Sequence, residues 1–200
     1  INVEAALRLA ERVSGNGGHF IFLSSNEVFD GTSPYCSTTS PLSPKSVYGQ
    51  LKAEAEKKLI KIAERLTIVR LSKILDERSG LIANWRSRLK AGERIQAFTD
   101  RQMAPLALDF VAEALLAISI SPPGGIIQLS GDRDHTYADV AERLVLGMNR
   151  DLNLIDRVAT WDLFPGIHLP RYTTLDCARF IRLFGIGIPD TELTLRQVLR

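Results

Sequence analysis

The sequence predicts an α/β fold built on a parallel sheet. Three observations carry this prediction: an apolar run over 19–23 that ends in hydroxyl residues, a second apolar run over 67–71, and helical patterns that precede and separate the two. Helix alternating with strand is the signature of parallel pairing, because parallel neighbours need a crossover connection.

The elements follow in order. Val3, Ala6, Leu7, Ala10 and Val13 recur at helical spacing from the outset, and Gly15-Asn16-Gly17-Gly18 reads as a helix stop and turn. His19 to Leu23 then reads as a buried strand ending in Ser24-Ser25-Asn26. In open α/β sheets the carboxyl edge of the strands is where ligands bind, which makes these hydroxyls candidate site groups. A loop rich in Ser, Thr and Pro (Asp30 to Lys45) leads to Ser43-Pro44, a helix-start signal, and to a charged, apolar-periodic run from Leu51 to Leu66. Thr67 to Leu71 is the next strand.

Beyond that strand the pattern changes. Ile82 to Ala91 predicts a basic amphipathic helix, Arg94 to Phe98 a short strand, and Leu106 to Ile118 a helix buried through Leu108, Val111, Leu115 and Leu116. Pro122-Pro123-Gly124-Gly125 is turn punctuation before a strand at Ile126 to Leu129. Thr136 with Asp139 makes a capping-box-like start for a helix over Tyr137 to Leu146, and a last helix, Leu175 to Phe184, stops at Gly185. No internal repeat or low-complexity tract interrupts this order.

Composition narrows the function classes. Two hundred residues at 45% hydrophobic content can bury a sizeable core. A net charge of +2 with scattered arginines is no footprint for nucleic acid or an anionic membrane surface. No apolar run reaches membrane-spanning length, and Glu4, Arg8, Glu11 and Arg12 stand where a signal peptide would be apolar, so a cytoplasmic protein is expected. Cys36 and Cys177 lack metal-ligand spacing and read as free thiols, and no metal site is expected. His19, His135 and His168 share no ligand or base spacing and read as structural or surface residues; core packing is the expected use of Trp85 and Trp161.

The chemistry-bearing pattern is Tyr48-Gly49-Gln50-Leu51-Lys52, in which Tyr48 and Lys52 stack one turn apart on one helical face. An ammonium beside a tyrosine favours the phenolate and lowers its pKa, which suits a proton donor and acceptor in alcohol-ketone chemistry. Ser25 at the preceding strand end and Tyr48 can face one crevice, giving a Ser, Tyr and Lys proton relay.

At these residues a family resemblance enters. Phe22-Leu23-Ser24-Ser25-Asn26-Glu27-Val28-Phe29-Asp30-Gly31, Pro34-Tyr35, and Pro44 followed by Tyr48-Gly49-Gln50-Leu51-Lys52 with Glu54 and Glu56 resemble the extended short-chain dehydrogenase/reductases. Within them the chain is most similar to the dTDP-4-dehydrorhamnose reductase, or sugar-nucleotide-binding, branch. Ile68-Val69-Arg70-Leu71, Asp100-Arg101-Gln102-Met103-Ala104-Pro105, Asp109-Phe110-Val111-Ala112, Ile127-Gln128-Leu129-Ser130-Gly131, Tyr137-Ala138-Asp139-Val140-Ala141 and Leu169-Pro170-Arg171 with Leu175-Asp176 extend the resemblance over nearly all of the chain. Asn26 and Glu27 depart from it, standing where reductases of this branch usually show Asp and Tyr.

The resemblance implies the C-terminal half of a Rossmann-type doubly wound parallel sheet plus a small α+β substrate-binding domain. Residues 1–75 would be a partial NAD(P)-binding part, and residues 76–200 mainly the substrate-binding part, with some segments returning to the sheet. The first strands and the Gly-rich phosphate loop of such enzymes have no counterpart in the chain, which starts at Ile1 rather than Met. A fragment of a longer enzyme is therefore expected, with an exposed sheet edge and no measurable dinucleotide-dependent reduction by the 200 residues alone.

The implied activity is reduction of a 4-keto sugar nucleotide by NADPH or NADH. Ser25, Tyr48 and Lys52 would be catalytic; Ser24, Tyr48, Lys52, Leu71 and Ser72 would hold the cofactor; Ser25, Asn26, Val28, Phe29, Arg101 and Gln102 would hold the substrate. The implied partner is a nucleotide-sugar substrate, with no nucleic acid and no membrane, and a homodimer is compatible with the resemblance. Two other readings stay open: a sugar-nucleotide epimerase or dehydratase, and a non-catalytic subunit resembling the regulatory β subunit of methionine adenosyltransferase.

Overall fold

The computed structural model describes residues 2–78 and 80–200. Helix α1 (Asn2–Gly15) presents Val3 and Ala10 to the interior as its apolar stripe requires, and ends in a turn where Gly17 adopts φ 74°. Strand β1 (Phe20–Ser25) follows, one residue later than the apolar run begins, because His19 instead bonds the Thr67 hydroxyl at 2.8 Å. Helix α2 (Val47–Ile62) starts at Ser46, whose hydroxyl accepts from the Gly49 N–H at 2.9 Å. The expected start at Ser43 is displaced: the Ser43 N–H donates to the Val28 carbonyl and its hydroxyl accepts from Asp30 N–H, so it pins the preceding turn. The periodic run also ends early, since Leu66 opens strand β2 (Leu66–Leu71), whose six residues are all buried.

The rest of the chain alternates short strands with helices. Strand β3 (Ile74–Leu75) precedes helix α3 (Gly80–Lys90) and strand β4 (Ile95–Phe98). Strands β5 (Gln102–Met103) and β6 (Leu106–Ala107) lead directly into helix α4 (Leu108–Ile120), so the predicted helix over 106–118 loses its first two residues to a strand. Strand β7 (Gly125–Leu129), strand β8 (His135–Thr136) and helix α5 (Tyr137–Gly147) follow. The α5 start carries the full capping box between Thr136 and Asp139. After strand β9 (Ile155–Val158) come helices α6 (Thr160–Leu163), α7 (Ala178–Phe184) and α8 (Thr191–Val198). The last predicted helix is shorter than expected: Leu175 makes a bridge with Cys36 and only Ala178 onward is helical, up to Gly185 at φ 66°.

The strands form a parallel sheet in the order β1-β2-β7, with Ser25 opposite Leu71 and Leu71 opposite Leu129. Alternation along the strands sorts its two faces. Phe22 and Ile68 pack beneath α1 and α2, with Ala55 and Leu59; Val69, Leu71 and Ile127 pack beneath α4 and α7, with Val111, Ile118 and Phe180. A separate core of Ile82, Trp85, Leu89, Ile95, Leu144 and Leu195 joins α3, β4, α5 and α8, beside the parallel pair β4-β9. Each such side chain, fully buried, contributes about 1.5–3 kcal/mol.

One core prediction fails by face. Helix α4 buries Val111, Ala114 and Ile118, whereas Leu108 and Leu116 are exposed. Trp85 is core as expected, but Trp161 is 54% exposed on α6. Cys36 and Cys177 are both free thiols. Among the described residues, no helix is long and apolar enough to cross a membrane, and no cluster of His, Cys, Asp and Glu could hold a metal ion.

Candidate active site

A cavity of about 570 Å³ opens at the carboxyl edge of the β1-β2-β7 sheet. Strand ends supply its floor, Leu23 to Ser25 from β1 and Leu71 with Ser72 just after β2, because parallel strands in this register finish together. The first turns of α2 supply one wall, with Tyr48 and Lys52. Arg101 and Gln102 also line it, with Ile167 to Pro170, Tyr172 and Thr173. This last segment is hooked to the β1 side: the N–H groups of Arg171 and Tyr172 donate to the Gly31 carbonyl at 3.1 and 3.0 Å, and His168 bonds the Asp30 carbonyl at 2.7 Å. Gly31 is required there, since it sits at φ 71° and a Cβ would lie 2.3 Å from Pro170 Cβ.

Lys52 is the best-fixed of the relay groups. Its ammonium donates to the Leu23 carbonyl at 2.9 Å and lies 4.8 Å from the Phe22 ring centroid and 5.6 Å from that of Tyr48. Burial lowers its pKa, and the Glu56 carboxylate one turn further along α2 opposes that shift. Ser25 is buried, and its hydroxyl accepts from the Glu27 N–H at 3.2 Å, which starts a single 3-10 turn over Asn26–Val28. Glu27 in turn accepts from the Ser46 hydroxyl at 2.5 Å, joining this turn to the start of α2. The Arg101 guanidinium lies about equally far from the Phe98 and Tyr137 rings, at 6.0 and 5.9 Å.

A family model described as the RmlD substrate binding domain matches residues 1–200. The chain belongs to that family. Among its relatives, dTDP-4-dehydrorhamnose reductase of Sinorhizobium fredii is 27% identical over 213 residues, covering 100% of this chain and 71% of the relative. Methionine adenosyltransferase 2 subunit beta of Bos taurus is 25% identical over 94% of this chain and 58% of its own length. A crystal structure of dTDP-4-dehydrorhamnose reductase from Bacillus anthracis in complex with NADP superposes with a TM-score of 0.88 at 20% identity, covering 99% of this chain and 71% of that one. The last likeness is one of fold, and it places the sheet of this RmlD-family chain among Rossmann-type sheets.

Two sequence expectations need correction. Val28 does not line the cavity: the 3-10 turn directs it into a small core with Phe29, Ala53 and Leu175, where it is fully buried. Ser24 lines the cavity, with its hydroxyl donating to Glu56 at 2.5 Å. The Tyr48 phenol is shifted upward rather than downward, first by burial and then by the Glu27 carboxylate. The remaining expected residues, Ser25, Asn26, Phe29, Tyr48, Lys52, Leu71, Ser72, Arg101 and Gln102, all line the one cavity. Sequence reading missed His168, Tyr137 and Lys73 on its wall. The signal for His168 was its place immediately before Leu169-Pro170-Arg171 in the family tail; Lys73 and Tyr137 stand next to strand and helix ends that were already located.

Proposed function

We propose that the protein reduces the keto group of a 4-keto sugar nucleotide with NADPH or NADH, as the relatives named dTDP-4-dehydrorhamnose reductase do by name. The observation that carries this reading is the convergence of Ser25, Tyr48 and Lys52 on one cavity at the carboxyl edge of a parallel sheet. A dihydronicotinamide would supply the hydride when bound. The residues present fit its nicotinamide-ribose end: a floor of Leu71 and Ser72 against which a ring can lie, and the Lys52 ammonium at one side to hydrogen-bond a ribose hydroxyl.

Tyr48, protonated at neutral pH as an ordinary phenol is and kept so by the upward shift of its pKa, gives its proton to the carbonyl oxygen as that oxygen gains charge. Lys52 stabilises the phenolate left behind, and the Ser25 hydroxyl orients the carbonyl oxygen. Arg101 takes a phosphate of the substrate, Asn26 and Gln102 offer hydrogen bonds to sugar hydroxyls, and Phe29 presents apolar surface. On this reading residues 1–75 belong to the NAD(P)-binding part and residues 76–200 mainly to the substrate-binding part, with β7 returning to the sheet.

The test is nicotinamide absorbance with dTDP-4-dehydrorhamnose, using the protein that carries this chain and its Tyr48→Phe variant. Turnover that falls about 10²-fold or more in the variant, with cofactor binding retained, is the expected result; unchanged turnover in the variant removes Tyr48 as the acid. The similarity to methionine adenosyltransferase 2 subunit beta favours a second reading, a regulatory binding subunit. Absence of turnover together with co-purification of a partner enzyme selects it.

A further inference from the structure

Tyr48, Lys52 and Glu56 stand four residues apart on one face of α2, and that face descends from solvent into the core. Tyr48 is 48% exposed, Lys52 is half-buried, and Glu56 is 0% exposed. A carboxylate so deep is tolerated only with full hydrogen bonding, and Glu56 has it. The Ser24 hydroxyl, at the end of β1, donates to Oε1 at 2.5 Å. Arg70 of β2 donates from Nε to both oxygens at 3.1 and 3.2 Å and from Nη2 to Oε2 at 2.7 Å. Arg70 Nη1 continues to Gln128 of β7 at 3.1 Å, and Gln128 Nε2 reaches the carbonyls of Cys36 and Asp176 at 2.7 and 3.1 Å. All three sheet strands, α2 and two loops therefore meet at one buried charge pair.

We infer that Glu56 is a positioning residue of the Tyr48–Lys52 face, fixing the end of β1 beside Ser25 through Ser24 and standing one turn below Lys52 on the same face of α2. The inference rests on the reductase reading for its effect on rate. A stability role alone explains the pair poorly. Removing two ions from water costs several kcal/mol each, and replacing a buried pair with apolar residues of similar volume is often neutral or stabilising. The place of the pair is more telling. Lys52 faces Tyr48 and Glu56 along α2, and on β1 it meets the Leu23 carbonyl and the Phe22 ring. The Glu56 carboxylate offsets the burial of this ammonium, and Arg70 is paired with Glu56. Without Glu56 the ammonium would lose this counter-charge.

The experiment compares Glu56→Gln and the double variant Glu56→Leu/Arg70→Met with wild type, in the protein that carries this chain. Two quantities are read: the pH midpoint of Lys52 acetylation, by mass spectrometry of its peptide, and kcat for the keto-sugar nucleotide. The midpoint is expected to fall in both variants, since each removes the carboxylate that opposes the effect of burial on Lys52. A loss of kcat on the order of tenfold is expected in both, with KM less affected, because reacting groups drift from their alignment. An unchanged midpoint and an unchanged kcat would overturn the inference, and so would loss of the fold in both variants, since a purely structural pair explains that. Wild type run alongside separates the two levels: if it shows no turnover of the keto-sugar nucleotide, the reductase reading fails, whereas the acetylation midpoint still decides the electrostatic role of Glu56.

Discussion

Tyr48 shows how a single side chain takes its chemistry from its neighbours. Burial and the Glu27 carboxylate both push its phenol above the ordinary value of 10.0, which extends to higher pH the range over which it holds its proton and is a donor. A donor is active only while protonated, so its rate contribution is lost as pH rises through its pKa. Glu27→Gln removes one of the two upward causes and leaves burial in place; it also keeps an acceptor for the Ser46 hydroxyl, so the start of α2 is retained. The alkaline limb of kcat/KM is therefore expected to move to lower pH in Glu27→Gln. Tyrosinate absorbance, read as a difference from Glu27→Gln/Tyr48→Phe, should move the same way, and a limb that stays in place or moves up would show that Glu27 does not act on the phenol. At this scale the sequence is most readable where side-chain type and spacing alone define the chemistry. Tyr48 and Lys52 share a helical face by spacing and Ser25 enters through the family resemblance, whereas Val28 lies off the cavity because a 3-10 turn, whose sense no periodicity signals, rotates it inward.

At the scale of elements, α2 owes its position to a missing side chain. Gly49 lies in the first turn of the helix, and a Cβ there would sit 2.1 Å from the Glu27 carbonyl oxygen, a backbone atom that cannot swing aside. Two effects oppose each other in Gly49→Ala. Alanine favours a helix over glycine by about 1 kcal/mol, but forcing a methyl into a filled contact costs about 1–3 kcal/mol. With backbone as the obstacle the clash prevails, so a lower urea midpoint is expected together with reduced turnover, because Tyr48 is the adjacent residue. Gly15→Ala, at the end of α1 with open space around it, is the control and should be neutral or stabilising. An unaltered midpoint and rate in Gly49→Ala would mean that α2 is not seated by this contact. Element types were readable from periodicity, but faces were less so. In Leu108-Asp109-Phe110-Val111-Ala112-Glu113-Ala114-Leu115-Leu116 apolar residues occupy more than one side, so the spacing alone cannot choose between Val111-Ala114-Ile118 and Leu108-Leu116, and packing against β2 and β7 makes the choice.

Over the whole molecule the deciding contacts are long-range, and these leave the least trace in the sequence. The two-residue strands β3, β5, β6 and β8 are too short to show alternation, and the segment 167–173 reaches the cavity through ties to Asp30 and Gly31 and, at Thr173, to Asp134 and Ala104. The approach to that segment is itself anchored by Asp100, which follows β4. Its carboxylate accepts from the Thr160 N–H at 2.8 Å and from the Thr160 hydroxyl at 2.7 Å, at the start of α6. Burial pushes the Asp100 carboxyl up, but these hydrogen bonds outweigh it and hold the group below its ordinary 3.8. A carboxyl lowered in the folded state stabilises the protein above its unfolded pKa, and that contribution is lost as pH falls through the folded value. Asp100→Asn should therefore lower the urea midpoint at neutral pH, and the difference from wild type should shrink as the pH drops below 3.8. A difference that stays constant across that acid window would show that the Asp100 charge contributes nothing to holding α6, and that the neutral hydrogen bonds an asparagine also accepts are enough to keep this side of the cavity in place.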